Sequence, residues 1–259
     1  LFINNSSNQL FTFNRVLFSL RKYIMDVVIL AAGRGTRMGD LETPKCLIDL
    51  GGTKIIDHQI NCFREIGVEN IFVVTGHNSE MISNHLDNKV TLIENPDYAT
   101  TNNLYSLWVA KKILKNDFIC IYSDLFFHKQ ILQNCINNED EVCLVIEKNI
   151  RDETMRVKIK GNYIIEVNKV IPISSASGNF IGLAKFKKES IDWLFSEISK
   201  LTSQHNLNAY YTSAIESMIK KGKKIGFVET NNLPWMDIDE KHEIQKAKQI
   251  YQKINEANS

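Results

Sequence analysis

The sequence lacks the features of a membrane-spanning protein and of a nucleic-acid binder. No apolar run reaches the roughly 18 to 20 residues that a transmembrane helix needs, because charged or polar residues interrupt each one. The 31 Lys and Arg residues nearly balance the 30 Asp and Glu residues, so a net charge of +1 gives no chain-wide attraction to nucleic acid or to an anionic membrane. We therefore expect a soluble protein with neither partner, and a small anionic ligand remains compatible with this balance.

Paired cysteines are also lacking. The five cysteines are odd in number, form no Cys-x-x-Cys pair and mostly lie in apolar runs: Cys46, Cys62, Cys120, Cys135 and Cys143. This pattern argues against a disulfide framework and a zinc site, and it favours a reducing cytoplasm. With only 12 glycines, 4 prolines and 44% apolar residues in 259, the composition is that of a globular protein rather than a disordered or collagen-like one.

Residues 1–24 differ from the rest of the chain. They are rich in Asn, Ser and Phe, and the first methionine is Met25. Their basic residues follow the apolar stretch and no small-residue cleavage site is present, which is not the pattern of a signal peptide. We expect residues 1–24 to be an N-terminal extension outside the fold, with a functional helix as the alternative, and residues 25–259 to form one composite domain.

From Met25 onward, short apolar runs typical of strands alternate with helical patterns. The predicted pairs of strand and helix are 27–30 with 55–66, 71–75 with 81–86, 90–93 with 104–114, and 118–122 with 130–136, and a strand follows at 142–146. Continuous apolar strands separated by helices predict an α/β fold: a Rossmann-like, three-layer, mostly parallel sheet that binds ligands at the carboxyl ends of its strands.

The second half of the chain has a different order of predicted strands and helices. Two short strand patterns at 157–159 and 163–167, separated by Lys160-Gly161-Asn162, predict a hairpin, and a further strand is predicted at 178–186. We interpret this part as a small β-rich insertion. Helices at 191–201 and 209–219, a strand at 225–228 and a terminal helix at about 241–254 complete the prediction.

A glycine-rich loop follows the first predicted strand. It reads Leu30-Ala31-Ala32-Gly33-Arg34-Gly35-Thr36-Arg37-Met38-Gly39, and Pro44-Lys45-Cys46-Leu47 comes shortly after it. Small residues after a buried strand let backbone N–H groups approach phosphate oxygens, while Arg37 and Lys45 can supply the positive charge that a triphosphate needs. The spacing fits neither GxGxxG nor a P-loop. Glycines alone would fit a tight turn equally well, but together with these cations they indicate a phosphate-binding loop.

These two segments resemble the signature LAAGxGxRxG followed by PKxL of a nucleotidyltransferase family, here at residues 30–39 and 44–47. The resemblance extends from Met25 to about Ala247, so residues 25–259 are interpreted as a nucleotidyltransferase domain whose β-rich insertion lies on the acceptor side. It implies Mg²⁺-assisted transfer of a nucleoside monophosphate from an NTP to a phosphate or phosphonate oxygen, with pyrophosphate leaving. It also implies Arg37 and Lys45 as catalytic residues and a nucleotide-binding loop of Leu30, Ala31, Ala32, Gly33 and Gly35.

Two aspartates are candidate metal ligands. Asp124 follows the predicted strand 118–122, and Asp239 stands just before the last predicted helix. Mg²⁺ favours one or two carboxylates together with phosphate oxygens and water, and the matching positions of the family bind the metal. The alternative is that each aspartate caps a following helix. Asp237 is the reserve candidate for the metal.

Residues 95–108 carry a cluster of amides and hydroxyls. This segment resembles the NN-x-YSL segment of cytidylyltransferases that act on phosphocholine and of related enzymes that act on 2-aminoethylphosphonate. By that resemblance Asn103 and Ser106 contact the base or ribose, and Gly76 is a weaker candidate on the nucleoside side. The alternatives are a capped amphipathic helix and, at Gly76, a plain loop.

For the acceptor, the resemblance implies Lys169, near the position at which sugar-1-phosphate members carry a phosphate-binding lysine. Asn179 stands where many relatives carry Glu, so it marks a different acceptor. An amine-bearing acceptor would need aromatic faces or a carboxylate around its cation. The residues that could supply these, or could instead be packing, are Tyr210, Tyr211, Trp235 and Asp237.

The functional prediction is a Mg²⁺-dependent cytidylyltransferase. It would transfer CMP from CTP to a small phosphate or phosphonate acceptor of the phosphocholine or 2-aminoethylphosphonate type, in the cytoplasm. A homodimer is the default expectation for its assembly. One alternative is a sugar-1-phosphate nucleotidyltransferase that uses another NTP, and a second is a nucleotide-binding protein without catalysis.

Overall fold

The computed structural model describes residues 24–39, 43–151 and 154–258, so nearly all of the expected N-terminal extension lies outside the described residues. The strands are β1 (Met25–Ala31), β2 (Asn70–Thr75), β3 (Thr91–Glu94), β4 (Asp117–Tyr122), β5 (Leu125–Phe127), β6 (Val142–Glu147), β7 (Arg156–Lys160), β8 (Tyr163–Asn168), β9 (Gly178–Phe186), β10 (Gly226–Glu229) and β11 (Trp235–Asp237). The α-helices are α1 (Ile55–Glu65), α2 (Ser79–Leu86), α3 (Asn103–Val109), α4 (Lys129–Asn137), α5 (Lys188–Ser203), α6 (Thr212–Lys220) and α7 (Ile244–Asn258).

The main sheet has the strand order β10-β6-β9-β4-β1-β2-β3. Strand β1 runs parallel to both β2 and β4, β2 is parallel to β3, and β10 is parallel to β6. Strand β9 is antiparallel to β4 and β6, so β4 and β6 point the same way and end at the same edge. The predicted hairpin is present as β7 and β8, and β7 pairs with the start of β9, which joins the β-rich insertion to the main sheet.

Both faces of the sheet are covered, as continuous apolar strands require. In β1, Val28 and Leu30 belong to one apolar core with side chains of α3, α5 and α6, while Val27 and Ile29 belong to a second core with side chains of α1, α2 and α4. This division follows from the alternation of side chains along a strand. The structure confirms the predicted three-layer α/β fold with a mostly parallel sheet. Within the described ranges, no helix is both long and apolar enough for a bilayer span.

A second, two-stranded sheet lies beside the main one. Strands β5 and β11 pair antiparallel, with Asp237 opposite Leu125. A third apolar core packs on this small sheet and includes Met38 from the turn after β1, Phe126, Met236, and Tyr251 and Ile254 of α7. The small sheet therefore joins two short segments that are distant in sequence, and it places both of them next to the loop that follows β1.

All of the predicted helices have somewhat different bounds in the structure, and two of these differences concern α3 and the residues that contact its start. The predicted helix 209–219 begins only at Thr212, because the residues before it contact the start of α3: the Tyr211 N–H donates to Asn103 Oδ1 (2.8 Å), and the Leu104 N–H donates to the Ala209 carbonyl (3.3 Å). The predicted helix 104–114 is α3 followed by a 3-10 turn at Ala110–Lys112. Strands β5 and β11 were not predicted as strands.

Gly182 of β9 gives a test of how tightly the sheet packs behind the cleft. Its φ is +96°, and a Cβ there would lie 2.5 Å from Tyr122 Cδ2. Gly222 also has a positive φ of +81°, yet no other described heavy atom lies within 4 Å of its Cβ position. We expect Gly182→Ala to lower the free energy of unfolding by roughly 2 to 4 kcal/mol and Gly222→Ala by about 1 kcal/mol. Urea unfolding measures both, and equal losses would contradict the packing argument.

Candidate active site

A cleft opens at the carboxyl ends of β1 and β4. Most of the residues that the sequence predicts for the site line it: Leu30, Ala31, Ala32, Gly33, Gly35, Arg37, Lys45, Asn103, Ser106, Asp124, Lys169 and Asp239. Gly76 and Asn179 are not in the lining. This position, at the carboxyl ends of parallel strands, is where α/β sheets bind ligands. The fold therefore brings together segments from the whole length of the domain.

The loop after β1 and the Lys45 segment form one wall of the cleft. Gly35 has a left-handed backbone (φ +61°), and Lys45 Cγ lies 3.4 Å from the position that a Cβ of Gly35 would take. The neighbours of Lys45 in its 3-10 turn, Cys46 and Leu47, are buried in the second core. Because Cys46 and Leu47 are buried and Gly35 has no side chain, the side chain of Lys45 runs along the loop and into the cleft.

Lys45 lies between two carboxylates. Its Nζ is 2.9 Å from Asp239 Oδ1 and 3.4 Å from Asp124 Oδ2, and Arg37 Nη2 is 2.8 Å from the same Asp239 oxygen. Asp124 stands between β4 and β5, and Asp239 comes just after β11. Pairing of these short strands, extended by the hydrogen bond from the Ile238 N–H to the Asp124 carbonyl, brings the two carboxylates together.

Neither aspartate caps a helix. Strand β5 follows Asp124, and the helical turn at Lys241–Glu243 is capped by Glu240 and Glu243, whose side chains and backbone N–H groups bond reciprocally. The capping alternative is thus wrong for Asp124 and for Asp239. Both carboxylates face the cations of the cleft instead.

The two carboxylates differ in acidity. Burial raises the pKa of Asp124 to about 6; Lys45 opposes this, and the negative charges of Asp237 and Asp239 add to it. Burial acts on Asp239 in the same direction, but the nearby Lys45 and Arg37 outweigh it and lower the pKa of that carboxyl. Ionisation of Asp124 is therefore less favourable in the folded protein than in an unfolded chain.

The pair fits a Mg²⁺ ion that is completed by other ligands. A single ammonium contacts both carboxylates, so the two oxygens converge on one point. No group of three or more His, Cys, Asp or Glu side chains in the described residues could hold a metal without help. Mg²⁺ commonly takes one or two carboxylates and keeps water and phosphate oxygens, which suits this pair.

Polar side chains at the start of α3 form another wall. Asn102 caps α3 by accepting from the Asn103 N–H (2.8 Å), and Asn103 in turn accepts from Tyr211. Ser106 Oγ accepts from Asn95 Nδ2 (3.1 Å). The capped amphipathic helix is confirmed, with Leu104 and Leu107 buried. Asn103 and Ser106 line the cleft, and their contact with a base or ribose stays a prediction.

Gly76 and Asn179 have structural contacts. A Cβ at Gly76 would lie 2.5 Å from Tyr98 Cβ and 2.8 Å from the Ala32 carbonyl oxygen, so glycine permits close packing under the loop. Asn179 is buried; its Oδ1 accepts from the Thr154 hydroxyl (2.7 Å), and its Nδ2 donates to the Asn149 carbonyl (2.7 Å). In this structure Asn179 holds a loop rather than facing the cleft.

Arg151 belongs to segment 151–157, which resembles the acceptor-side segments of the family, but sequence reasoning assigned Arg151 no role of its own. In the structure it lines the cleft. Its Nη1 and Nη2 lie 3.2 and 3.3 Å from Asp237 Oδ1, and its guanidinium lies 4.6 Å from the Trp235 ring centroid. The available signal was its position four residues after β6, whose carboxyl end lies at the edge where the cleft opens. Lys169 reaches the cleft as predicted, with Nζ 3.0 Å from Tyr210 Oη.

The raised pKa of Asp124 predicts that the ionised Asp124 carboxylate lowers the free energy of unfolding of the protein. The folded protein takes up a proton on Asp124 near pH 6, whereas an unfolded Asp does so near about pH 4. The contribution of this group to stability therefore falls as pH rises through that window. We expect Asp124→Asn to raise the free energy of unfolding at pH 7.5 by on the order of 1 to 2 kcal/mol. The gain should vanish near pH 4. Urea unfolding of both proteins at the two pH values measures this, and a less stable variant at pH 7.5 would contradict it.

Comparison with known proteins agrees with this geometry. Residues 27–164 match the family model of the MobA-like NTP transferase domain. A CTP:phosphoglutamine cytidylyltransferase of Campylobacter jejuni is 28% identical over 83% of this chain and 96% of its own length. A 2-aminoethylphosphonate cytidylyltransferase of Lancefieldella rimae is 40% identical over 37% of this chain and 41% of its own length.

Among solved structures, the CTP:phosphocholine cytidylyltransferase of Streptococcus pneumoniae superposes with a TM-score of 0.75 at 24% identity, over 88% of this chain and 99% of that one. This likeness confirms the predicted Rossmann-like fold. The family model spans more than half of the 259 residues. The chain therefore belongs to the MobA-like NTP transferase domain family and is a nucleotidyltransferase.

Proposed function

We propose that the protein is a Mg²⁺-dependent cytidylyltransferase that transfers CMP from CTP to a small phosphate or phosphonate acceptor and releases pyrophosphate. The observation that carries this proposal is the position of Lys45, between Asp124 and Asp239 and against the glycine-rich loop. One site thus combines cations for a triphosphate with carboxylates for a metal.

The proposed reaction is direct attack of an acceptor oxygen on the α-phosphorus of CTP, in which the new P–O bond forms as the bond to pyrophosphate breaks. A phosphate or phosphonate oxygen is already anionic at neutral pH, so the protein needs to supply no nucleophile. Its task is to align two anions that repel each other. Lys45 and Arg37 would neutralise phosphate oxygens, and Lys169 would hold the acceptor.

Asp124 and Asp239 would hold the metal. When bound there, Mg²⁺ would neutralise charge on the α-phosphate and the attacking group. Lys45, which contacts both carboxylates, would then be able to turn its ammonium toward the phosphate oxygens of the nucleotide.

CTP is proposed as the donor for two reasons. The polar side chains at the start of α3 line the cleft where a base and ribose would lie, and the segment resembles that of cytidylyltransferases. The relatives from Campylobacter jejuni and Lancefieldella rimae are cytidylyltransferases for phosphoglutamine and 2-aminoethylphosphonate. These relatives support a small phosphorylated or phosphonate acceptor.

A pyrophosphate-release assay tests the proposal. CTP, UTP, GTP and dTTP would each be combined, with and without Mg²⁺, with phosphocholine, 2-aminoethylphosphonate, O-phosphoethanolamine, O-phospho-L-serine and glucose-1-phosphate. We expect release that depends on Mg²⁺ and is fastest with CTP and a small acceptor. Release only with glucose-1-phosphate and another NTP would support the sugar-1-phosphate alternative, and no release with any pair would contradict the proposal.

Replacement of Lys45 should separate catalysis from folding. We expect Lys45→Ala to lower kcat/KM at least about 100-fold, because a cation that neutralises transition-state charge is lost. Lys129 is a matched control, since it also forms an ion pair, with Glu65 at 3.6 Å, but is not in the cleft lining. Lys129→Ala should retain turnover. A folded Lys45→Ala protein with unchanged kcat/KM would show that the assignment of Lys45 is wrong.

A further inference from the structure

Two positively charged side chains, Arg151 and Lys169, line the acceptor side of the cleft. Of the four residues that the sequence offers for binding an amine, three contact one of these cations: Trp235, Asp237 and Tyr210. Arg151 covers the face of Trp235 and binds the Asp237 carboxylate. Lys169 lies 4.5 Å from the ring centroid of Tyr210 and bonds its hydroxyl. The other aromatic candidate, Tyr211, is fully buried away from the cleft.

Arg151 is held in place from two directions. Beneath its guanidinium, the Trp235 indole N–H donates to Glu147 Oε2 (3.1 Å), and that same oxygen accepts from the Thr230 hydroxyl (2.7 Å). The Trp235 ring therefore has a fixed orientation. Stacking on a fixed ring preorients the planar guanidinium toward the cleft.

Hydrogen bonds also hold residues on either side of Arg151. The Thr154 hydroxyl lies 2.9 Å from the Arg151 carbonyl oxygen and 2.7 Å from Asn179 Oδ1. Asn179 Nδ2 donates to the Asn149 carbonyl, on the other side of Arg151. Asn179 is therefore a positioning residue, because it forms hydrogen bonds with one residue before Arg151 and one residue after it.

The guanidinium retains capacity for a ligand. Both of its Nη atoms share one oxygen of Asp237, whereas a guanidinium has five N–H groups in a planar fork. The side chain is 44% exposed and lines the cleft. A planar fork of this kind matches a carboxylate, which can accept two parallel hydrogen bonds. An ammonium group would instead have to displace Arg151 from Asp237 and Trp235.

We propose that Arg151 binds a carboxylate that the acceptor carries in addition to its phosphate or phosphonate group. The preferred acceptors are then phosphorylated or phosphonate amino acids or other carboxylic acids. An acceptor whose only other charge is an amine, such as phosphocholine, is disfavoured. This inference rests on the proposed cytidylyltransferase function, and it names the acceptor class and the residue that selects it.

Two matched pairs of acceptors test the inference. O-Phospho-L-serine differs from O-phosphoethanolamine only by a carboxylate, and 2-amino-3-phosphonopropionate differs from 2-aminoethylphosphonate in the same way. With CTP and Mg²⁺, we expect the wild-type protein to give at least a tenfold higher kcat/KM for the carboxylated member of a pair. Arg151→Met should lower that ratio about 10- to 100-fold, mainly through a higher KM for the carboxylated acceptor. Arg151→Lys should restore part of the ratio.

Arg64 provides the control. Arg64 lies near the end of α1, and its side chain donates to the carbonyl of Lys89, which precedes β3. This contact is therefore at the amino end of β3, away from the carboxyl ends of the strands where the cleft opens. Arg64→Met should leave the ratio unchanged, and thermal unfolding would confirm that each variant is folded. Asn179→Ala should lower the ratio in the same direction as Arg151→Met but less, with little change in kcat, since it acts through the position of Arg151.

The outcomes separate this inference from the function on which it rests. Turnover of phosphocholine, O-phosphoethanolamine or 2-aminoethylphosphonate at a higher kcat/KM than the carboxylated acceptors would overturn the role of Arg151 and leave the cytidylyltransferase function intact. An equal ratio in wild type and Arg151→Met would do the same. No pyrophosphate from CTP with any acceptor would overturn both.

Discussion

The Lys45 ammonium stabilises a pair of carboxylates that would otherwise repel each other inside the protein. Its contacts of 2.9 Å to Asp239 and 3.4 Å to Asp124 offset part of the cost of placing two like charges at one partly buried point. The offset is incomplete, because burial still raises the pKa of Asp124 to about 6. This cluster is thus a poor arrangement for stability and a suitable one for binding a cation and a polyphosphate, as expected where activity requires unfavourable electrostatics.

The rest of the architecture supplies the geometry of this cluster. Asp124 follows the carboxyl end of β4, at the edge of the main sheet where the cleft opens. The short pairing of β5 with β11 brings Asp239 beside it. The third core, with Met38 from the glycine-rich loop and Tyr251 from α7, packs these pieces together. Rigid strands therefore position both the cations and the carboxylates, which is what precise alignment of two anions requires.

The sequence predicts the main elements well because their patterns are local and long. Strand β9 was predicted with its observed bounds, and the cations and carboxylates of the motif lie in one cleft. Strands β5 and β11 have three residues each, too few for a periodic pattern, and their pairing depends on distant parts of the chain. The surroundings of Asn179 and Arg151 are equally non-local. Whether an asparagine faces a ligand or a loop depends on partners, here Thr154 and Asn149, that no sequence spacing reveals.

We expect Lys45 to exchange partners when nucleotide and metal bind, and a crystal structure of the protein with CTP and Mg²⁺ would show this. In that structure a metal ion should contact both Asp124 and Asp239, and the Lys45 ammonium should have moved from these carboxylates onto phosphate oxygens. If the metal lies elsewhere and Lys45 still bridges the two aspartates, Lys45 does not exchange partners.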